Sequence, residues 1–182
     1  MLSSKPPAER FGEVVLPHLA DALALARWLT GNTSDAEDVL QEACLRAYAG
    51  IDTYAGGNAR AWFLTIVRNV AYTWLAKNRP RALLASGDLA DLDELAAGQT
   101  NTDDPDGPEA AMIAKADVAA LEAAILHLQP PFREVVVLRD INGFGYRDIA
   151  AMLNLPLGTV MSRLSRARRL LMMQLGATDE GG

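Results

Sequence analysis

Cysteine, histidine and aromatic side chains are all scarce in this chain: one Cys, two His and 6 % aromatics in 182 residues. A lone thiol, Cys44, leaves no partner for an internal disulfide and no cysteine-rich zinc site. Set among helix formers, it reads as a small core residue. His18 and His127 are distant in sequence and flanked by apolar residues, so they make no metal pair, and neither metal nor other cofactor is expected. Alternation of β-branched residues is almost absent, and Pro and Gly are sparse outside one stretch. No strands are expected, and the chain reads as all-α. No run approaches the roughly 18 to 20 apolar residues that a membrane span needs, and no charged-then-apolar signal opens the chain. A cytoplasmic protein without membrane insertion is the expectation. Paired-His, G-x-S-x-G and phosphate-loop spacings are missing too, and capping accounts for the acids on the helices, so an enzyme is not expected.

Apolar residues make up 50 % of the sequence, enough for packed cores in one or two small domains. The formal net charge of −6 would repel free DNA, but it hides three unlike segments. Residues 1–80 carry eight bases and eight acids, Asp88 to Glu109 eight acids and no base, and Arg133 to Arg169 seven Arg against three acids. A cationic stretch that wants phosphate is thus tethered to an acidic counterweight.

That stretch contains GFGYRDIAAMLNLPLGTVMSRLSRARRLLMMQL, from Gly143 to Leu175. Tyr146, Ile149, Ala150 and Leu153 recur at i, i+3, i+4 and i+7, which puts four apolar side chains on one stripe of a helix. This helix should stop near Asn154. Pro156 cannot continue it but suits the first turn of another, where its missing N–H costs nothing. In the second helix Val160, Leu164, Ala167 and Leu171 share one face, while Thr159, Ser162, Ser165, Arg166 and Arg169 project from the other side. Two helices and a short turn make a helix-turn-helix. Arg163, Arg166, Arg168 and Arg169 place four guanidinium groups within seven residues, with no acid between Asp148 and Asp179. Arg grips phosphates, and guanine edges bidentately, and short hydroxyls such as Thr159 and Ser162 let a helix approach DNA closely. A solvated amphipathic helix is the bland alternative. Leu170 to Leu175 reads as core, with an adaptable Met-rich partner surface as the other possibility.

The string YRDIAAMLNLPLGTVMSRLSRAR resembles the promoter-reading fourth region of the bacterial sigma-70 family, whose pattern is Y-x-E-I-A, a turn, then G-T-V-x-S-R-x-x-R-A-R. LQPPFREVVVLRDINGFGYRDIA is similar to the same family's L-P-x-x-x-R-x-V-x-L stretch. Asp148 stands where Glu is common, and Met161 where many relatives place Lys or Arg. The resemblance implies minus-thirty-five contacts from Arg147, Thr159, Met161, Ser162, Arg163, Ser165, Arg166 and Arg169. Two preceding helices, one with the stripe Val118, Leu121, Ile125 and Leu128, the other running from Phe132 to Ile141, would scaffold them.

In the first half, Phe11, Val14 and Val15 begin a helical pattern that restarts at Pro17 and runs through Leu19, Leu23, Ala26 and Leu29 to Gly31-Asn32. Thr33 or Ser34 then suits an N-cap, with Glu37 in capping-box position to Ser34. Val39, Leu40, Ala43 and Ala47 turn inward, and Asp35, Asp38, Gln41 and Glu42 form an acidic and amide stripe. On composition alone the stripe serves capping and solubility first. DAEDVLQEACLRAY, however, is similar to the sigma second region, whose D-x-x-Q-E stretch docks on the β′ clamp helices of RNA polymerase. The resemblance carries that role to Asp38, Gln41 and Glu42, with Asp35 as a weaker candidate.

Tyr54 to Asn58 reads as a loop because paired glycines break any element. Arg60 to Asn78 follows as a helix with Phe63, Ile66, Val67, Val70 and Trp74 inward, leaving Trp62, Thr65, Asn69, Tyr72, Thr73 and Lys77 for the opposite face or its margins. Aromatics and amides with few bases suit unpaired bases, which stack on rings; one of Trp62 and Trp74 is expected in the core. AWFLTIVRN resembles the family segment that reads the melted minus-ten element, which implies minus-ten contacts from Tyr54, Asn58, Trp62, Asn69, Tyr72, Thr73 and Lys77. The family's Asp and Arg one turn apart are absent from Tyr72-Thr-Trp-Leu-Ala-Lys77.

The sequence thus divides into residues 8–79 as sigma region 2, 80–110 as an acidic flexible linker, and 111–176 as sigma region 4. The linker's composition buries too little surface to offset ordering entropy, and its acids serve either as solvated spacing or as a nucleic-acid mimic. With no third region in so short a chain, the sequence resembles the extracytoplasmic-function group. That implies an RNA polymerase sigma factor that recognises promoters and assists their opening. Its partners would be core polymerase through the β′ clamp helices and β flap, promoter DNA, and an anti-sigma factor. The alternative is a stand-alone helix-turn-helix regulator with a sensing or dimerising first domain.

Overall fold

The computed structural model describes residues 5–80, 108, 113 and 117–179, with the side chains of residues 177–179 left aside. The acidic stretch from Asp88 to Glu109 therefore lies outside the described residues, apart from Pro108. All regular structure among the described residues is helical, in two units, Met1–Pro80 and Arg81–Gly182.

In the first unit α1 spans Pro7–Val14, α2 Leu19–Thr30, α3 Thr33–Ala49 and α4 Ala59–Asn78. Pro17 restarts the chain through a 3₁₀ turn, Leu16–His18. Gly31 ends α2 at φ 85°, a left-handed conformation that costs glycine little. The cap of α3 corrects the sequence expectation. Asn32, extended at φ −149°, accepts from the Asp35 N–H, while Thr33 and Ser34 fall inside the helix. The turn made by Gly31 leaves Asn32 first in line, and Asn caps as well as Ser does.

Helices α2, α3 and α4 pack against one another. Ala22, Ala26, Ala36, Ala43, Ala47 and Ala71 are fully buried where they meet, and side chains this small let the backbones approach. Leu25, Leu29, Phe63, Leu64 and Val67 fill the remaining space. Because α4 touches both α2 and α3, its inward face is broader than predicted. Leu64, Ala71 and Leu75 join Phe63, Val67 and Val70, while Ile66 and Trp74 are only half-buried. Cys44 is likewise half-buried rather than in the core, and burial pushes its thiol pKa up. Both ends of α4 are pinned. Arg60 Nε lies 2.6 Å from Asp21 Oδ2 on α2, and Arg79 donates to the Thr30 carbonyl at 3.0 Å.

In the second unit α5 spans Val118–His127, α6 Pro130–Val136, α7 Tyr146–Leu153 and α8 Leu157–Asp179. Val118 is exposed instead of belonging to the apolar stripe of α5, whose buried side is Ala124 and Ile125, with Leu128 just beyond the helix. Arg133 Nη2 donates to the carbonyls of Leu126 and Leu128 at 2.6 and 2.7 Å, which satisfies orphan acceptors at the end of α5. Helix α6 widens into a π turn, Val137–Ile141, closed by Asn142 N–H to Val137 O at 2.8 Å. Helix α8 packs on α5, α6 and α7 through Val160, Leu164, Ala167 and Leu171.

Candidate nucleic-acid interface

The turn between α7 and α8 is built by Asn154, which adopts φ 53° and ψ 49° and ends the first helix. The Pro156 carbonyl then accepts from the N–H groups of Thr159 and Val160 at 3.1 and 3.2 Å, so Pro156 opens the first turn of α8 without needing a donor of its own. Two helices at this spacing project one set of side chains outward. Arg147 and Arg169 are exposed, and Thr159, Met161, Arg163, Ser165 and Arg166 are half-buried.

Two members of the expected cationic face are otherwise placed. Ser162 is buried, and its hydroxyl donates to the Thr159 carbonyl at 3.1 Å. Arg168, not an outward group at all, is 4 % exposed and reaches Asp140 Oδ1 at 2.6 Å and Oδ2 at 3.2 Å. This two-point pair ties α8 to the π turn, and it leaves Arg163, Arg166 and Arg169 as the outward cations of the stretch. The Arg166 guanidinium carbon lies 5.7 Å from the Phe132 ring centroid, within cation–π range. Beyond Leu171 the Met-rich end is not core: Met173 is 65 % exposed, and Met172 and Leu175 are half-buried. The period of α8 accounts for this, since Met173 falls two residues past Leu171 and so turns to the opposite side.

In the first unit the loop before α4 is more ordered internally than its two glycines imply. Gly56 and Gly57 take φ 102° and 93° with open space around both, a conformation that side-chain-bearing residues rarely adopt. Tyr54 is buried: its hydroxyl donates to the Gly57 carbonyl at 2.7 Å, and its ring centroid is 5.3 Å from that of Trp62. Asn58 caps α4 by accepting from the Ala61 N–H at 2.9 Å. Trp62 is half-buried, and Asn69, Thr73 and Lys77 are exposed along the same side of α4. Tyr72 sits at the margin with the Arg68 guanidinium 3.9 Å over its ring. Trp74, on the inward side, has Arg79 stacked at 5.6 Å.

On α3 the residues Asp38, Gln41 and Glu42 are exposed together, and Glu42 pairs with Arg46 at 2.7 Å. Asp35 is set apart from them. It hydrogen-bonds Asn32 and lies 3.8 Å from Arg79, which places it between α3 and the end of α4. Sequence reasoning missed Leu45 and Tyr48, 64 % and 49 % exposed, the latter edge-to-face with Phe11 at 5.5 Å. Both continue the spacing of Asp38 and Gln41 by three and four residues, a signal visible in the sequence once the polar stripe is traced past Glu42. Among the described residues no cluster of three or more His, Cys, Asp or Glu is placed to hold a metal, and no helix is long and apolar enough to cross a membrane.

Residues 14–81 match Sigma-70 region 2 and residues 119–171 match Sigma-70 region 4. The ECF RNA polymerase sigma factor EcfG of Rhodopseudomonas palustris is 33 % identical over 180 residues, 97 % of this chain and 92 % of that one. The chain belongs to the ECF sigma factors. SigW of Bacillus subtilis, another ECF sigma factor, is 29 % identical over 94 % of this sigma factor and 91 % of its own length. Among solved structures, the sigma factor RpoE in complex with the anti-sigma factor NepR from Bartonella quintana superposes with a TM-score of 0.66 at 26 % identity, covering 91 % of this chain and 96 % of that one. CnrH, in complex with the cytosolic domain of CnrY, does so at 0.57 and 26 %, covering 97 % and 92 %. Two matched sigma regions displace the stand-alone regulator. This sigma factor is a transcription initiation factor that directs core RNA polymerase to promoters.

Proposed function

We propose that residues 8–79 mount this sigma factor on core polymerase and capture the melted minus-ten strand, that residues 111–176 seat on the minus-thirty-five duplex, and that 80–110 connect them. The observation that carries the reading is the split between two faces of the first unit. Asp38, Gln41, Glu42, Leu45 and Tyr48 lie exposed on α3, and Trp62, Asn69, Thr73 and Lys77 line α4. The α3 face offers acid and amide at one end and an apolar patch at the other, which suits the β′ clamp helices. The α4 face offers a stacking ring and amide or hydroxyl donors with little charge, which suits unstacked bases rather than duplex phosphates. Tyr54 and Asn58 shape the loop from within, and Asp35 ties α3 to α4. Binding only the melted state shifts the equilibrium toward the open complex, so no catalytic residue is needed.

In the second unit Arg147, Arg163, Arg166 and Arg169 contact backbone and base edges, assisted by Thr159, Met161 and Ser165; Ser162 acts by letting the helix start pack closely. The exposed Met173 end of α8 is available to the β flap or to an anti-sigma factor. A protein of that kind accompanies RpoE in the complex described above, and we infer one for this chain, acting in the cytoplasm. In vitro transcription with purified core polymerase on a random-promoter library tests the whole. The expected result is new, sequence-defined start sites that appear only when this chain is added, together with weak DNA binding by the chain alone. Unchanged start sites, or tight specific DNA binding by the free chain, would refute the reading.

A further inference from the structure

Helix α1 has no role in the reading above, yet it holds the most deeply buried charged side chain of the first unit's described residues, Arg10 at 7 % exposure. Its guanidinium donates Nη1 to Asp52 Oδ1 at 2.6 Å, and Nη2 to the carbonyls of Ile51 at 3.0 Å and Tyr54 at 3.4 Å. All three acceptors belong to the turn that leads into the base-facing loop. The same loop continues through Tyr54, whose hydroxyl holds Gly57 and whose ring rests on Trp62.

We propose that Arg10 is a positioning residue for strand capture, holding the segment from Ile51 to Asn58 in its receiving shape. What Arg10 supplies is preorganisation. Gly56 and Gly57 have open space around them and nothing of their own to restrain them, so an unanchored loop would have to order when bases arrive, at the expense of affinity. Arg10 fixes the start of the loop, Asn58 fixes its end as the cap of α4, and Tyr54 bridges the two. The grip comes chiefly from the carbonyls. Asp52 is largely exposed, where an ion pair contributes little, whereas a buried planar guanidinium reaches two backbone acceptors that no other side chain type spans in the same geometry.

This inference rests on the reading of α4 and its loop as the strand-capturing surface, and the experiment separates the two. Holoenzyme is assembled from full-length chain and purified core on a forked promoter fragment whose minus-ten strand is already unpaired and carries 2-aminopurine. Arg10→Met should weaken strand capture about tenfold, comparable to one charged hydrogen bond, and Arg10→Lys should fall between it and wild type. Affinity for core, measured in parallel, should stay within about twofold for both. Wild-type capture by Arg10→Met, or a core affinity that falls by the same factor as capture, would overturn the proposal. If Arg10→Met fails to fold, Arg10→Lys decides: reduced capture at unchanged core affinity supports the proposal and wild-type capture overturns it. Trp62→Ala tests the underlying reading. Should it capture the strand normally, that reading falls and this one with it; should it be defective while the Arg10 variants are not, only the role of Arg10 is lost.

Discussion

Ser162, Tyr54, Asn58 and Asp35 share a property: each is a polar residue within a stretch matched to the family, and each spends its hydrogen bonding on its own chain. Ser162 returns its hydroxyl to Thr159, Tyr54 to Gly57, Asn58 caps α4, and the Asp35 carboxylate accepts from the Asn32 amide that caps α3. Short polar side chains bond neighbouring backbone as readily as they bond a partner, and spacing alone does not separate the two uses. Arg168 makes the same point at greater cost. The helical period sets Arg168 apart from Arg166 and Arg169, four residues after Leu164 and three before Leu171 on the inward face, but its partner Asp140 lies on a different helix and is not visible in RLSRARR. Removing that carboxylate leaves a buried guanidinium with fewer acceptors, so Asp140→Ala should destabilise the second unit by roughly 1–3 kcal/mol, the partly exposed Asp140 side chain keeping the loss below that of a fully buried pair. All three tryptophans, Trp28, Trp62 and Trp74, lie in the first unit. Denaturation followed by far-ultraviolet circular dichroism should therefore show an earlier transition, while the tryptophan fluorescence transition stays where it was.

Helices were legible where their apolar period is strong and where glycine or proline marks an end. Gly31, Asn154 and Pro156 fall where they are needed, and α8 buries Val160, Leu164, Ala167 and Leu171 as their spacing requires. What escaped is set by neighbours. The inward face of α4 widened because two helices flank it, and Val118 lies exposed at the first turn of α5. On α3, Leu45 and Tyr48 are apolar or aromatic residues that read as core by type, although the inward turn of Ala43 and Ala47, legible in the sequence and met by their burial, already puts both on the outer face. Placing a charge there separates an apolar contact from mere exposure. Leu45→Asp should weaken core binding about tenfold without loss of stability, as judged by competition against labelled wild-type chain. On α8, half-buried Met161 occupies the turn next to Arg163. Met161→Arg adds a cation to the end of α8 proposed to face DNA, so minus-thirty-five affinity should rise and the slope of log affinity against log salt should steepen by about one unit. An unchanged slope would mean that position 161 does not meet phosphate.

At the scale of the whole chain the unusual quantity is the separation of charge. The cationic stretch from Arg133 to Arg169 and the acidic stretch from Asp88 to Glu109 belong to one molecule whose formal charge is −6. Under the proposed function, in which the free chain binds DNA weakly, such a balance is useful. The net field opposes association of the free chain with duplex, while the local field at Arg163, Arg166 and Arg169 favours it once the factor is mounted. If the acidic stretch supplies that restraint, replacing its eight carboxylates by the corresponding amides, which takes the formal charge to +2, should raise the affinity of the free chain for non-specific duplex. At about 0.05 M salt the gain should be on the order of tenfold and should shrink as salt is raised, because the repulsion removed is screened over roughly a Debye length. Fluorescence anisotropy on a labelled duplex of random sequence measures it. Holoenzyme binding to a selected promoter should change far less, since the polymerase then supplies most of the contacts. Equal duplex affinity for the amide variant and the wild type at low salt would mean that the acids do not restrain the reader, and the weak binding proposed for the free chain would then have to come from the small size of the α7–α8 surface alone.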